Sequence, residues 1–493
     1  MEHCLRQTVI ALRLADLVEA DAEDREATYY LGLLSNAYCH ADASEQARWF
    51  GDDISIKAAG YEVLSMNTPQ MAAMLLRALA SHGTPKDRLG RLATFPGKGQ
   101  REIESWLITH TLLGSQFAER VGLGAGVASA IFQAYEQWDG KGPRHVRGDH
   151  IALPSRLVAL SGILEVIARR HGVKSAESVV HRHAGSLFDP ELADIVVRNS
   201  SQLLDDRADT ATWDQVLDAE PRLARMVAGA ELDEVLEAMA DLVDLKSPYL
   251  AGHSRGVANL AAEAAKITGI PEAERVRLRR AGLLHDLGRL GVSNAIWDKA
   301  GPLSDVEREH AHQHPYLTDK MLARIPGLAA SREIAARHHE RLDGSGYPRG
   351  LTAASLTPAD RLLAAADVCH AMSEPRPHRP ALAAGQAGAQ LRAEVRAGRL
   401  DGDAVGAVLQ ASGHRAPARR EGPAGLTWRE VEVLALLARG HTNKEIARRL
   451  GVTPKTVSNH VEHVYTKLDV GSRAAATLFA TQHGLVGSFE PAR

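Results

Sequence analysis

HSRGVANLAAEAAKITGIPEAERVRLRRAGLLHD, residues 253–286, opens on a histidine, continues through an apolar stripe from Val257 to Ile267, and closes on Leu283-Leu284-His285-Asp286. A stripe at the 3.6-residue period marks an amphipathic helix. The same order stands 250 residues earlier, where His3 precedes a striped stretch from Leu5 to Leu17 and Leu33-Leu34-Ser35-Asn36 follows. Similarity at a fixed offset points to one structural unit used twice. Further along, Glu340-Arg341-Leu342-Asp343-Gly344-Ser345-Gly346-Tyr347-Pro348 echoes Glu136-Gln137-Trp138-Asp139-Gly140-Lys141-Gly142-Pro143 with one residue fewer in the earlier copy. Arg361 matches Arg156, and Gly398 to Leu409 resembles Gly185 to Val197. Leu232, Val235, Leu236, Met239, Leu242 and Val243, and again Val431 to Leu437, keep the helical period, while period-2 runs are scarce. The expected fold class is all-α. Two related helical domains, about 1–220 and 221–412, precede a linker at 413–424 that has two prolines and no stripe, and a small helical domain occupies 425–493.

With 493 residues, 45% hydrophobic and 24% charged, the chain has the composition of globular domains rather than of a disordered protein. No apolar run approaches the roughly 20 residues that span a bilayer, and the first residues lack the order of a signal peptide. A cytoplasmic protein without a membrane partner is the expectation. Cys4, Cys39 and Cys369 form neither a disulfide framework nor a zinc-type spacing. The net charge of −3 is uneven: Gly413 to Arg493 holds 12 Lys and Arg against 7 Asp and Glu, a net of +5, which leaves −8 for residues 1–412. An acidic body with a basic end suggests a regulatory or catalytic part joined to one that binds nucleic acid.

Histidines number 23, more than Phe and Tyr together. In the second copy His253, His285, Asp286, His314, His338, His339 and Asp367 fall on segments with helical patterning. Imidazole and carboxylate suit iron, manganese, zinc or nickel, and a carboxylate can bridge two ions that together favour phosphate-ester hydrolysis. A single helical histidine is more often an ordinary surface or core residue, which is the reading for His310, His312 and His378. Adjacent His-Asp and His-His pairs are harder to explain that way. The first copy has Ser35-Asn36, Ala134-Tyr135 and Gly162 at the corresponding places and keeps only His3 and His110, so it is expected to be a non-catalytic partner. Gly122, Gly124 and Gly126 follow no strand and read as a turn between helices.

Gly252-His253-Ser254, Leu284-His285-Asp286-Leu287-Gly288, His314-Pro315, His338-His339-Glu340, Asp343 to Pro348 and Ala366-Asp367-Val368 together resemble an HD-GYP domain, the branch of HD-type metal-dependent phosphohydrolases that hydrolyses cyclic di-GMP. The resemblance covers about 245–410. It implies two divalent metal ions, usually iron or manganese, held by the seven residues above with Asp286 as bridge and catalytic carboxylate. It also implies that Gly346, Tyr347 and Pro348 shape the dinucleotide site, with Arg361 and Arg376 as phosphate or guanine contacts. Arg289 replaces the usual Lys and keeps its proton. His370 stands where the family has a second Asp, and Tyr249 where three-metal members carry Glu. Binding with hydrolysis and binding alone both remain open.

At the basic end Thr427 with Glu430 makes a capping box, Gly440 can end that helix and Asn443 can cap the next; Gly451 supplies a tight turn, and Thr453 caps a third helix with Pro454 at its first position. Asn443, Lys444, Thr453, Lys455, Thr456, Ser458, Asn459 and His460 are the candidate contacts to double-stranded DNA. Residues 425–487 resemble a LuxR-type helix-turn-helix, which implies recognition by Pro454 to about Leu468, a dimerising fourth helix over Arg473 to Leu485, and a homodimer on DNA. The combined expectation is two HD-type domains, one metal-competent, and a DNA-binding end: a transcriptional regulator responsive to a cyclic dinucleotide. The alternatives are a protein that is chiefly a phosphodiesterase, and a regulator with inactive HD scaffolds.

Overall fold

The computed structural model describes residues 2–60, 63, 66, 68–205, 212–222, 226–413 and 423–486. Among these the secondary structure is helical, with isolated bridges such as that between Asp343 and Thr352 and no strand. The all-α expectation holds. The chain divides into two compact units, Met1–Cys39 with Arg48–Ala228, and His40–Ala47 with Gly229–Arg493. Most of the linker expected at 413–424 lies outside the described residues.

In the first unit the helix Glu2–Leu17 packs on Ala22–Leu34 and Leu153–His171 around Leu14, Leu157, Leu164, Ile167 and Val196. His110 sits within a 36-residue helix, Pro85–Arg120, and Gly122 and Gly124, at φ +73° and +94°, turn the chain into Ala125–Phe132. That is the helix-connecting turn expected of the glycine triplet.

The second unit repeats the pairing. His253–Ile267 and Glu272–Leu284 run antiparallel as a hairpin, so the start of one helix lies beside the end of the other. Past Val257 the buried residues of the first are all alanine, Ala258, Ala261, Ala264 and Ala265. A narrow face lets the backbones approach closely, and a Cβ at Gly282 would lie only 2.6 Å from Ala258 Cα. This close pairing brings His253 and His285 to the same end.

Both copies also secure their polar loops alike. Glu340 accepts the amides of Arg349 and Leu351 at 2.8 and 2.7 Å, and Glu136 accepts those of Arg144 and Val146 at 2.9 and 3.0 Å. The Arg361–Asp401 pair at 3.0 Å has its counterpart in Arg156–Asp189 at 2.7 Å. The two loops thus pair equivalent side chains with equivalent partners.

The C-terminal helices are Trp428–Ala438, Asn443–Leu450, Pro454–Leu468 and Arg473–Gln482. Thr427 with Glu430 caps the first, Gly440 follows its end at φ +87°, Gly451 closes the second in the left-handed region, and Thr453 caps the third ahead of Pro454. One expectation needs correction. Thr442, not Asn443, caps the second helix, because Thr442 and Glu445 form a reciprocal capping box; the Asn443 amide instead donates to Ser458 Oγ at 3.1 Å. Threonine wins because Glu at the third helical position returns the bond to its amide, a partnership Asn443 lacks at that register.

Glu430 links this domain internally, accepting from the Thr427 amide and from Lys467 Nζ at 2.7 and 2.6 Å. Burial opposes its charge, but Lys467 and Thr427 outweigh burial and hold the carboxyl at about 2. A carboxyl depressed below its unfolded value stabilises the fold above that value and loses the effect as pH falls through the folded one. Acid unfolding of the wild type should therefore show a contribution lost between the ordinary glutamate range, about 4.3, and about 2, and Glu430→Gln should remove that part of the pH dependence.

Candidate metal centre and DNA-binding face

Asp286 lies at the mouth of the helical hairpin, 1% exposed, with imidazole nitrogens on both sides. On its Oδ2 side are His285 Nε2 at 3.4 Å and His253 Nε2 at 3.6 Å; Asp367 Oδ1 lies 3.4 Å from the same His253 atom. Toward Oδ1 are His314 Nε2 at 3.5 Å and His338 Nε2 at 3.7 Å. His339 joins this second group, with its Nδ1 3.8 Å from Asp367 Oδ2. All seven residues singled out in the sequence thus converge. Donors about 3 to 4 Å apart are spaced as ligands around ions bound at roughly 2.0–2.2 Å.

The tautomers suit the same use. Nδ1 of His285, His314 and His338 lies 2.7, 2.6 and 2.6 Å from the carbonyls of Gly282, Ala311 and Ala335, and Nδ1 of His253 lies 2.9 Å from Glu374 Oε2. With the proton on Nδ1, each Nε2 lone pair faces inward. His253 Nε2, His285 Nε2 and Asp286 Oδ1 are buried without a hydrogen-bond partner. Buried polar atoms are rarely left so, and two divalent ions sharing Asp286 would satisfy all three.

Electrostatics sharpen this. Burial lowers His314 to about 4 and pushes His285, His338 and His339 downward, which keeps them neutral as ligands must be. Burial also opposes the charge on Asp286, but Arg289 and the histidines outweigh it and hold the carboxyl well below its usual range. For His253 burial again acts downward, yet Glu374 and Asp367 prevail and raise it to about 10, so an ion at its Nε2 would displace a proton there.

The surrounding residues fix these positions. Thr318 Oγ1 donates to the His285 carbonyl and accepts the Gly288 amide, both at 2.9 Å. Gly288 packs so tightly that a Cβ would overlap the His314 carbonyl. Arg289 Nε lies 2.7 Å from Asp286 Oδ2, with its guanidinium 4.4 Å from the Trp297 ring centroid. Gly346 lets the loop fold back over Glu340 and His339, where a Cβ would meet backbone. Next to it Tyr347, ahead of Pro348, stacks on His312 with centroids 3.8 Å apart and lies 4.7 Å from His339. Arg376 is held near the centre by Glu374 at 2.9 Å, whereas Arg361 binds Asp401 and the carbonyls of Leu356 and Ala353. Thr318, Trp297 and Glu374 carry no signal in the sequence, and His312, expected to be an ordinary histidine, stacks on Tyr347 instead.

In the first unit the corresponding positions hold a polar cluster. Asn36 Nδ2 donates to Cys4 Sγ at 3.5 Å, Tyr135 donates to the Ser35 carbonyl at 3.3 Å, and Gln7 reaches the space that Gly162 leaves open. Among the described residues, every group of donors close enough to hold an ion lies in the second unit.

On the third C-terminal helix Val457 and Val464 face the core, and Lys455 and Asn459 are exposed at its N-terminal end, as is Lys444 on the helix before. Thr453 caps this helix with Thr456, and Ser458 is joined to Asn443, while His460 is half-buried.

The family model described as HD domain matches residues 237–404, and that described as bacterial regulatory proteins, luxR family, matches 424–480. The chain carries an HD domain and a LuxR-type helix-turn-helix DNA-binding domain. It is 29% identical to the 3′3′-cGAMP-specific phosphodiesterase 3 of Vibrio cholerae over 386 residues, 77% of this chain and 84% of that protein. It is 35% identical to a cyclic di-GMP phosphodiesterase of Thermotoga maritima over 30% of this chain and 41% of that one. A crystal structure of a cyclic GMP-AMP specific phosphodiesterase from V. cholerae superposes with a TM-score of 0.55 at 25% identity, covering 83% of this chain and 92% of that chain. The response regulator VraR of Staphylococcus aureus is 46% identical over 61 residues, 12% of this chain and 29% of that protein. An alignment of 386 residues exceeds the HD-domain match, so the likeness extends beyond it.

No helix among the described residues is long and apolar enough to cross a membrane. For the HD domain, Gly288→Ala should lower bound metal per chain with every ligand intact, because it displaces the His314 backbone; elemental analysis of the purified variant checks this. For the LuxR-type domain, Lys455→Ala should weaken DNA binding across sequences and reduce the slope of log affinity against log salt by about 1. Titrations at several salt concentrations measure that slope.

Proposed function

We propose that the protein is a transcriptional regulator whose HD domain holds two divalent ions and takes a guanine-bearing cyclic dinucleotide, and whose occupancy alters the presentation of the LuxR-type domain as a homodimer on DNA. Five imidazoles and two carboxylates suit iron or manganese. Such ions supply Lewis-acid activation of a phosphodiester and of attacking water. Asp286 would bridge them, with His253, His285 and Asp367 on one side and His314, His338 and His339 on the other. Arg289 keeps a permanent positive charge beside the bridge, and Tyr347 on His312 offers a flat wall to a purine. The names of the relatives put cyclic GMP-AMP and cyclic di-GMP first among ligands to test.

The observation that carries the regulatory reading is the place of Ala251. Two residues before the ligand His253, it is 6% exposed within the hydrophobic core of the LuxR-type domain, beside Leu426, Leu437 and Val486. A Cβ at Gly252 would lie 3.6 Å from Val486 and one at Gly440 would lie 3.0 Å from Pro248. Arg376 donates to the Tyr249 carbonyl at 3.3 Å and so steadies the same loop from the nucleotide side. A phosphate that engaged Arg376 would compete for that bond. Ligand binding then favours whichever seating of the helix-turn-helix it stabilises, to the extent of its differential affinity.

The test uses full-length wild type, His285→Ala/Asp286→Ala and Ala251→Asp, each assayed for metal content, hydrolysis of both dinucleotides, and DNA affinity with and without them. Wild type should contain metal and change its DNA affinity with nucleotide, the double variant should lose both, and Ala251→Asp should keep metal but lose the response. Metal-free wild type, or DNA affinity that ignores both nucleotides, overturns the proposal.

A further inference from the structure

A ligand imidazole must keep its proton on Nδ1 to present Nε2, and three of the histidines do so against the carbonyl three residues earlier, in Gly282, Ala311 and Ala335. His253 does not use such a carbonyl. The one three residues earlier, Leu250, accepts the His253 backbone amide at 2.8 Å. Its imidazole is paired instead with a side-chain acceptor, Glu374 Oε2 at 2.9 Å.

Glu374 sits just beyond Pro358–Ser373, the helix that carries Asp367, and is itself held by Arg376, with His370 close to its other oxygen. Arg376 Nη2 lies 2.9 Å from Oε2, and His370 Nδ1 lies 3.2 Å from Oε1. His370 can lean in this direction because residue 256 is glycine; a Cβ there would overlap the His370 ring. Position 370 is where the HD-GYP pattern has an aspartate. In this chain a carboxylate stands instead one helical turn later.

We infer that Glu374 is the positioning residue for His253, supplying from position 374 the carboxylate that fixes the imidazole tautomer, with the His370 and Gly256 pair making room for that exchange. The inference rests on the metal-centre reading above. A carboxylate behind a ligand imidazole raises its basicity, so His253 is the strongest donor of the four and the ion on its side of Asp286 the more tightly held. His253, His370 and Glu374 are close enough together to bind an ion themselves. Two features speak for positioning instead: Arg376 places a permanent cation on the same carboxylate, and binding through both nitrogens of His253 would require an imidazolate.

The experiment takes full-length protein stripped by a chelator and titrated with Co(II), followed by its visible absorption and by bound ions per chain. Wild type should take two ions. Glu374→Ala should weaken one of them ten- to a hundredfold and leave the other within a few-fold; Glu374→Gln, which preserves shape without the charge, should fall between. Glu374→Ala/His370→Asp should recover most of the loss, a rescue that a merely structural glutamate would not show. Unaltered far-ultraviolet dichroism identifies folded variants, and if Glu374→Ala fails to fold, the near-isosteric Glu374→Gln carries the comparison. Two ions bound equally well by wild type and both single variants, absence of rescue, or a third ion lost with Glu374 would overturn the inference. Wild type that binds no ion would instead remove the metal centre on which it rests.

Discussion

Asp286 carries its charge where almost no water reaches it, and a buried carboxylate is tolerated only if opposite charge or coordinating ions surround it. Breaking a buried ion pair by removing one partner typically costs about 3–5 kcal/mol. Much of the second unit is arranged around that demand. The alanine and glycine faces of the helical hairpin bring His253 and His285 to one end, and Thr318 and Gly288 press His314 against the opposite side. Arg289 adds a cation below. None of these could be relaxed singly without leaving a charge or a lone pair unmet in a low-dielectric site.

The first unit shows the same framework without that demand. Its hairpin, its glutamate-clamped loop and its Arg156–Asp189 pair remain, but Ser35, Asn36 and Gln7 replace the charged donors and satisfy one another by hydrogen bonds. A cluster of neutral groups that pair internally needs no ion. Loss of the ligands and retention of the packing are thus separate matters, because the helices of both units are held by their apolar faces.

The HD domain and the LuxR-type domain meet through very little chain. Pro248 to Gly252 touches the helix-turn-helix core on one side and leads directly into His253 on the other. A short loop whose apolar residue is buried in one domain while the next turn carries His253 of another has little freedom to move independently of either. At the N-terminal end of the third C-terminal helix Lys455 and Asn459 stay exposed.

The repeat, the all-helical architecture, the seven converging donors and the caps of the third C-terminal helix were legible in the sequence, since each depends on local periodicity or on motifs with fixed spacing. Other features were not. Glu374 and Thr318 act on residues 121 and 33 positions away in the chain, and no local pattern announces such partners. His312 looked like any surface histidine until Tyr347 was found stacked on it, and Thr442 displaced Asn443 as a cap only because Glu445 answers it. The sequence by itself determined which chemical groups this protein carries and which helices bear them, because composition and helical period are properties of neighbours along the chain. Tertiary structure alone decided which nitrogen of each histidine faces inward, which carboxylate stands behind His253 and that the helix-turn-helix rests on the loop before it, because those depend on distances between groups that only packing brings together.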